Sequence, residues 1–398
     1  MGLIASVLDA SRTRGCALRC VNATLGILLL IARPRSLVME HTNMELPFFY
    51  DFSEDDQKFL LAAALGNRGV VVKRLNGVCG DIFVMDQGES VYPRYVCAKV
   101  PRKLETVPAV EANKRFVQEL GLQLRFSHHT FVHWCFDLRE VLGAPVALFR
   151  YWDGDLLHYM SGQSEIRQLS LIAYCCSGLI HCYSHGLACH QDLKPANIFV
   201  RDFEKVINGL RNIDIYQVAM IADFGLANAF LKTPAVFEGS RPYMSPEQWH
   251  RTQLSEKTDV FALGIILHEL LTGGVHPVGV RTDDVWPSAK PGHSTKWTRS
   301  ADWQKWIARG CPLQATGNLR SDVISLVKRA LSVDPGERPS MMGLRDEVLS
   351  LIKARCEISH FQLSGLIDHF DGKSSKGHLA DEWPYLANAW ARFQERFG

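Results

Sequence analysis

The chain has 398 residues, 44 Lys+Arg against 42 Asp+Glu for a formal net charge of +2, and 47% hydrophobic residues. A balance this close to neutral, with no basic run, argues against electrostatic nucleic-acid binding, and the hydrophobic share is ample for a globular body of roughly 250–300 residues plus extensions. Eleven scattered cysteines, an odd number, fit a reducing compartment and lead us to expect a cytoplasmic protein.

Residues 1–45 hold an apolar run from Val21 to Ala32, with Arg12, Arg14 and Arg19 before it and Arg33 and Arg35 after. That run is shorter than the ~20 residues a membrane-spanning helix needs, and no A-x-A-like cleavage site follows it. Met1-Gly2-Leu3-Ile4-Ala5-Ser6 matches the N-myristoylation pattern, with Cys16 and Cys20 nearby for acylation. Membrane association rests on that short pattern alone. A blander reading starts the protein at Met39 or Met44 and leaves the preceding segment outside the fold.

Val70-Val71-Val72 opens a β-branched run. Leu75-Asn76-Gly77-Val78-Cys79-Gly80-Asp81-Ile82 follows, and its glycines admit either an ordinary hairpin turn or backbone N–H groups lying close to a phosphate. Val96-Cys97-Ala98-Lys99 reads as a strand ending on a lysine, a residue type that is mostly exposed unless paired. Residues 108–125 read as a helix with Val110, Val117, Leu120 and Leu124 on one face, and they carry two competing glutamates, Glu111 and Glu119. Beyond Ser127-His128-His129-Thr130-Phe131-Val132, the apolar Val146-Ala147-Leu148-Phe149 reads as a further strand, and 150–155 connect onward.

A second helix is expected over 164–186, with Leu169, Ile172, Ala173, Cys176, Ile180 and Tyr183 at helical spacing and Gly186 as its C-cap. Cys175, Cys176, Cys182 and Cys189 lie on or near it, but they lack the paired C-x2-C spacing of a zinc site and read as small core residues. This helix delivers the chain to His190-Gln191-Asp192-Leu193-Lys194-Pro195-Ala196-Asn197, followed later by Asp223-Phe224-Gly225. The intervening 201–217 are expected to extend a hairpin. Gly239-Ser240-Arg241-Pro242-Tyr243-Met244-Ser245-Pro246-Glu247 comes next. Asp259-Val260-Phe261-Ala262-Leu263-Gly264 then opens a helix that stays apolar through Ile265, Ile266, Leu267, Leu270 and Leu271 and stops at Gly273-Gly274; a helix apolar all round is a buried one. Residues 275–320 hold Trp286, Trp297, Trp303 and Trp306, which either anchor a partner or, the commoner fate of aromatics, fill local core. After Asp334-Pro335-Gly336-Glu337-Arg338-Pro339, a tail over 354–398 carries Trp383, Tyr385, Trp390 and Phe393, which suggest a helix docked on the body.

The run H-x-D-L-K-P-x-N followed by D-F-G specifies nine positions at once, and it resembles the catalytic and metal-binding loops of eukaryotic-type (Hanks-type) serine/threonine protein kinases. The resemblance extends over about 68–353. It implies an α+β bilobal protein-kinase fold: a β-rich N-lobe with one helix and a lead-in over 46–149, a mostly helical C-lobe over 150–353, a C-terminal helical tail over 354–398, and an extension over 1–45. It also implies ATP and Mg2+ as cofactors and Ser/Thr-bearing proteins as substrates. Asp192 would take or orient the proton of the acceptor hydroxyl, Lys194 would reach the γ-phosphate, and Asn197 and Asp223 would hold Mg2+ through hard oxygen ligands. Lys99 would contact the α- and β-phosphates, paired with a helix glutamate for which counting back from 127–132 selects Glu119. On that register the polar Gln123 falls where the family usually places an apolar residue.

Gly77 and Gly80 resemble the family's Gly-rich loop, with its first glycine replaced by Leu75. Ile82 and Cys97 would sit above the adenine and Phe199 below it, with Leu148 or Phe149 as the residue guarding the back of that pocket. Phe224 and Gly225 complete the D-F-G. Ser240 would bridge Asp192 and Lys194, Glu247 would pair with Arg338, and Asp259 would open the central helix. Gln191 replaces the family's usual Arg, and an uncharged side chain cannot hold a phosphorylated activation loop. Activity is therefore expected to depend on Ser240 and little on Thr233. Three other readings compete: a nucleotide-binding pseudokinase or scaffold, disfavoured by the presence of Lys99, Asp192, Asn197 and Asp223; a small-molecule kinase, which usually lacks the Ser245-Pro246-Glu247 and Arg338 features; and a non-enzymatic module using the tryptophan-rich segment.

Overall fold

The computed structural model describes residues 48–376 apart from 67–68, 77–79, 92, 103–106, 127–128, 153, 206–211, 233–238, 286–299 and 315–318. The chain divides into units Met1–Leu46 and Pro47–Gly398. The first unit, with its apolar run and acylation pattern, lies outside the described residues, as do Gly77, Thr233, Trp286, Trp297 and the tail aromatics Trp383, Tyr385, Trp390 and Phe393. No described helix is long and apolar enough to cross a membrane.

The second unit begins with helix α1, Glu54–Ala64, which starts where it does because the Ser53 side chain accepts from the Asp56 N–H and the first turn is acidic. The period-2 stretches that follow form β1 (Val70–Asn76), β2 (Gly80–Asp86) and β3 (Tyr95–Pro101), then helix α2 (Ala109–Phe126), β4 (Cys135–Val141) and β5 (Ala144–Arg150). The five strands pair antiparallel in the order β1-β2-β3-β5-β4. Helix α2 lays Phe116, Leu120 and Leu124 against Cys135, Leu138, Ala147 and Phe149 of the sheet. Val110 departs from the expected buried face and is 71% exposed, because burial along α2 begins only at Ala112, past the first turn. Gly80 has a packing reason to be glycine, since a Cβ there would lie 2.6 Å from the Val100 carbonyl oxygen.

The larger lobe is mostly helical. Strands β6 (Gly154–Asp155), β7 (Ile198–Asp202) and β8 (Gln217–Ile221) form a small sheet beside helix α3 (Glu165–Ser184). Ser164 caps α3, and Gly186, at φ +92°, lies one residue past the C-cap His185. Gly178 lets α3 press on the 129–132 turn, since a Cβ there would stand 2.5 Å from the Phe131 carbonyl oxygen. After α4 (Ala229–Lys232) and α5 (Pro246–His250) comes α6 (Glu256–Leu271), buried continuously from Thr258 to Leu270 as an all-round apolar helix must be. Helix α7 (Thr282–Val285) follows, and helices α8 (Ser300–Ala308), α9 (Ser321–Ala330), α10 (Met341–Arg355) and α11 (Glu357–Lys376) complete the lobe's hydrophobic core.

The architecture is the expected bilobal α+β one. Cys175, Cys176, Cys182 and Cys189 are free and fully buried, and burial pushes each thiol up, which suits core packing and not ligation. Trp303 and Trp306 are each 1% exposed and stack near His276, so this half of the tryptophan-rich segment is core. Helix α11, the described start of the tail, packs on the lobe through Leu363, Ile367 and Phe370, the last ring lying 5.7 Å from Phe131.

Candidate active site

The loop at 190–197 is tied to the lobe by one carboxylate. Asp259, in the first turn of α6, accepts from the N–H groups of His190 (2.9 Å) and Gln191 (3.3 Å), from the Tyr183 hydroxyl (2.8 Å) and from the Cys189 thiol. Burial pushes its carboxyl up, while His190 and these donors pull the other way. The convergence forces Gln191 into left-handed backbone, φ +69°, a conformation a non-glycine residue keeps only when its surroundings hold it there. The Gln248 side chain supplies that hold by donating to the Gln191 carbonyl at 2.9 Å. Gly239 makes room, as a Cβ on it would lie 2.7 Å from the same oxygen.

Asp192 emerges from this support half-buried. One of its oxygens accepts from Lys194 Nζ at 2.8 Å and Asn197 Nδ2 at 3.2 Å, and the other from the Ser240 N–H at 2.7 Å. Burial alone would raise its pKa, but the Lys194 charge and the bonds from Lys194 and Ser240 outweigh that, so the carboxyl is held below its usual range. It is ionised at neutral pH. Lys194 Nζ also donates to Ser240 Oγ at 2.8 Å. Ser240 therefore touches both residues, through its backbone N–H on one side and its hydroxyl on the other.

Asn197 and Asp223 are brought side by side, because the N–H of Ala222 donates to the Asn197 carbonyl at 2.9 Å. Asn197 spends its side-chain nitrogen on Asp192. Asp223 sits at φ +61°, and one of its oxygens accepts from the Gly225 N–H at 3.3 Å. Among the described residues no group of three or more His, Cys, Asp or Glu could hold a metal ion. Two oxygen donors are nevertheless what Mg2+ usually takes from a protein when substrate phosphates and water complete the octahedron, so Asn197 and Asp223 fit that ion. Phe224 is fully buried, its ring 5.0 Å from His190 and 5.2 Å from Phe126 at the end of α2. A packed column thus runs from α2 through Phe224 and His190 to Asp259.

In the small lobe Lys99 Nζ lies 2.5 Å from Glu119 Oε1, while Glu111 pairs with Arg115 on the surface. Gln123 is 3% exposed and donates to the His133 carbonyl at 3.0 Å, which explains how a polar residue is tolerated inside: its buried donor is satisfied. Strand pairing puts Ile82 opposite Lys99, and Phe149 opposite Cys97. Side chains alternate along strands, so Ile82, Cys97, Lys99 and Phe149 share one face of the sheet and Leu148 points to the other. Ile82, Cys97 and Phe199 are all half-buried.

Downstream, Glu247 and Arg338 form a bidentate pair at 2.7 and 2.9 Å, both side chains almost fully buried. Thr258 Oγ1 donates to Glu247 at 2.8 Å, and Tyr243 donates to Glu269 at 2.9 Å. Reading the sequence did not single out Gln248, Phe126 or Glu269, and it read Tyr183 only as a residue at core spacing along its helix. A polar residue on a short helix carries no periodic signal, and their partners lie 26–98 positions away along the chain.

Residues 84–349 match the family model described as protein kinase domain. Among curated relatives, the serine/threonine-protein kinase PknB of Mycobacterium tuberculosis is 33% identical over 160 residues, 37% of this chain and 24% of that protein. Mitogen-activated protein kinase kinase 1 of Arabidopsis thaliana is 24% identical over 277 residues, 66% of this chain and 71% of that protein. PknB of Mycobacterium leprae is 27% identical over 213 residues, 50% and 32% respectively. The chain spans about a quarter, 24%, of the length of the first relatives it matches.

Proposed function

The chain belongs to the protein kinase family, and we propose that it transfers the γ-phosphate of ATP to serine and threonine hydroxyls of proteins. The observation that carries this reading is the arrangement at Asp192: an ionised carboxylate held by Lys194, Asn197 and Ser240, with the Lys99–Glu119 pair formed in the same conformation. Phosphoryl transfer needs little covalent chemistry from a protein; it needs an oriented hydroxyl, a clamped triphosphate and charge neutralisation. Asp192 accepts the hydroxyl proton. Lys194, its ammonium fixed between Asp192 and Ser240, meets the charge developing on the transferred group. Lys99, oriented by Glu119, binds the α- and β-phosphates, and Ile82, Cys97 and Phe199 enclose the adenine with Phe149 behind it. Mg2+ held by Asn197 and Asp223 would neutralise phosphate charge when bound. Lys194, two residues after Asp192, and relatives named as serine/threonine kinases support hydroxyl acceptors of that class. In this reading 46–149 and 150–353 are the two catalytic lobes, 354–398 is a docked tail, and the protein works in the cytoplasm.

The test is radiolabelled phosphate transfer from Mg-ATP to the protein itself and to generic Ser/Thr protein substrates, wild type against Asp192→Ala. Transfer that vanishes in the variant supports the reading. Nucleotide-dependent thermal stabilisation without any transfer would replace it with a pseudokinase.

A further inference from the structure

Beside the proton acceptor lies a cation to which nothing above gives work. Arg241 directly follows Ser240, whose N–H donates to Asp192 and whose hydroxyl accepts from Lys194. Neighbouring Cα atoms are about 3.8 Å apart, so the Arg241 side chain starts one residue from the groups that must surround an acceptor hydroxyl. The backbone there is stiff: Arg241 precedes Pro242, restricting its own torsions, and the turn Arg241–Tyr243 is closed by the Tyr243 N–H on the Ser240 carbonyl at 2.9 Å. The side chain is exposed, yet it is not adrift, because its guanidinium carbon sits 5.0 Å from the centroid of the Trp249 ring. Stacking on an aromatic face fixes the guanidinium plane and leaves its N–H edge free to donate.

Among the described residues none uses that edge: the Arg241 side chain has the Trp249 contact but no hydrogen bond or ion pair to any of them. Among the described residues, three carboxylates of this region are engaged elsewhere: Asp192 with Lys194, Glu247 with Arg338, and Glu269 with Tyr243 and Thr282. Arg251, exposed just past α5, is a second cation of this stretch. A stacked guanidinium whose donors no described residue uses, one residue from the reaction centre, suits a planar anion carried by a bound peptide.

We infer that Arg241 selects peptide substrates carrying an aspartate or glutamate immediately beside the acceptor Ser/Thr, an inference that rests on the protein-kinase reading above. The test uses the full chain with Mg-ATP and a serine peptide set in which the residue before or after the acceptor is Glu, Gln or Lys. Glu should exceed Gln in kcat/KM by roughly five- to tenfold at one of the two positions, the worth of a single charge-assisted contact at a part-exposed site. Arg241→Glu should invert the order so that Lys exceeds Glu. This ratio is taken within each variant, so loss of folded protein cancels, and Arg241→Gln, which retains a planar group over Trp249, should bring it to near unity. Discrimination below twofold at both positions in the wild type, or an unchanged order in Arg241→Glu, overturns the inference. Binding of the same peptides with Ala at the acceptor, read by fluorescence anisotropy, should show the same order. If no peptide is phosphorylated, the kinase reading fails and this binding series still decides whether Arg241 selects acid.

Discussion

Replacing Arg338 with methionine removes one end of the best-buried ion pair among the described residues. The Arg338 side chain is 0% and the Glu247 side chain 5% exposed. Arg338 gives two bonds to Glu247, and it also donates to the carbonyls of Ser332 (2.7 Å), Lys257 (2.8 Å) and Val333 (3.2 Å). In the variant, Glu247 keeps only Thr258 as a side-chain donor, and an unpartnered buried charge costs about 3–5 kcal/mol. That is a large part of the roughly 5–15 kcal/mol a domain has to lose. Glu247→Gln combined with Arg338→Met removes both charges, so the double variant should be at least ~1 kcal/mol less destabilised than the sum of the singles. Urea midpoints followed by tryptophan fluorescence, compared at a common slope, measure all three.

Acid gives an independent check of the same pair. Burial pushes the Glu247 carboxyl up, but the hydrogen bonds and charge of Arg338 outweigh it and hold it below the usual range. A carboxylate whose folded pKa is depressed adds stability above its unfolded value of about 4.3 and loses it as pH falls through the folded value. The wild-type advantage over Arg338→Met should therefore be full at pH 6–7 and shrink below about pH 4. A cost under ~1 kcal/mol for Arg338→Met, or strict additivity in the double variant, would refute the reasoning.

Asp192→Asn should lower transfer by about 10²–10⁴-fold, the worth of a positioned proton acceptor, with the thermal unfolding midpoint little changed. Because Lys194 and Ser240 hold Asp192 below the usual carboxylate range despite its burial, wild-type turnover should show no protonation of this base between pH 6 and 8 and should fall only in acid; a loss centred near neutrality would contradict the assignment. Gly178→Ala forces a Cβ to within 2.5 Å of the Phe131 carbonyl oxygen and should cost about 1–3 kcal/mol by overpacking, read as a lower urea midpoint; a neutral effect would mean that α3 and the 129–132 turn are not closely packed. Thr233→Ala should keep the wild-type rate while Ser240→Ala loses it, since Gln191 offers no charge to a phosphorylated loop; a Thr233→Ala variant as weak as Ser240→Ala would show that the loop needs its phosphate after all.

Several features follow from local order and need no tertiary information. The spacing from His190 to Asn197 sets which groups can meet at one hydroxyl, because a short loop has few ways to arrange a carboxylate, an ammonium and an amide. The unbroken apolar stretch of α6 announces its own burial, and Ser164 and Gly186 punctuate α3 by capping chemistry that acts within one turn.

Other features depend on which surface comes to lie opposite, and a one-dimensional pattern does not contain that. Glu111 and Glu119 both ride on α2, and only the approach of β3 engages Glu119 with Lys99 and leaves Glu111 at the surface. Leu148 and Phe149 are equally apolar neighbours, and the pairing of β3 with β5 sends them to opposite faces. Val110 shares the helical spacing of core residues yet is exposed, because the buried stripe of α2 begins only at Ala112. Trp303 and Trp306 become core only once His276 and α6 close around them. Gln248 acquires its task only when α5 meets the strained carbonyl of Gln191, 57 positions earlier in the chain. Chemistry confined to a few consecutive residues is legible in order and spacing, whereas partners distant along the chain are chosen by packing, which assigns each side chain the neighbour its burial requires.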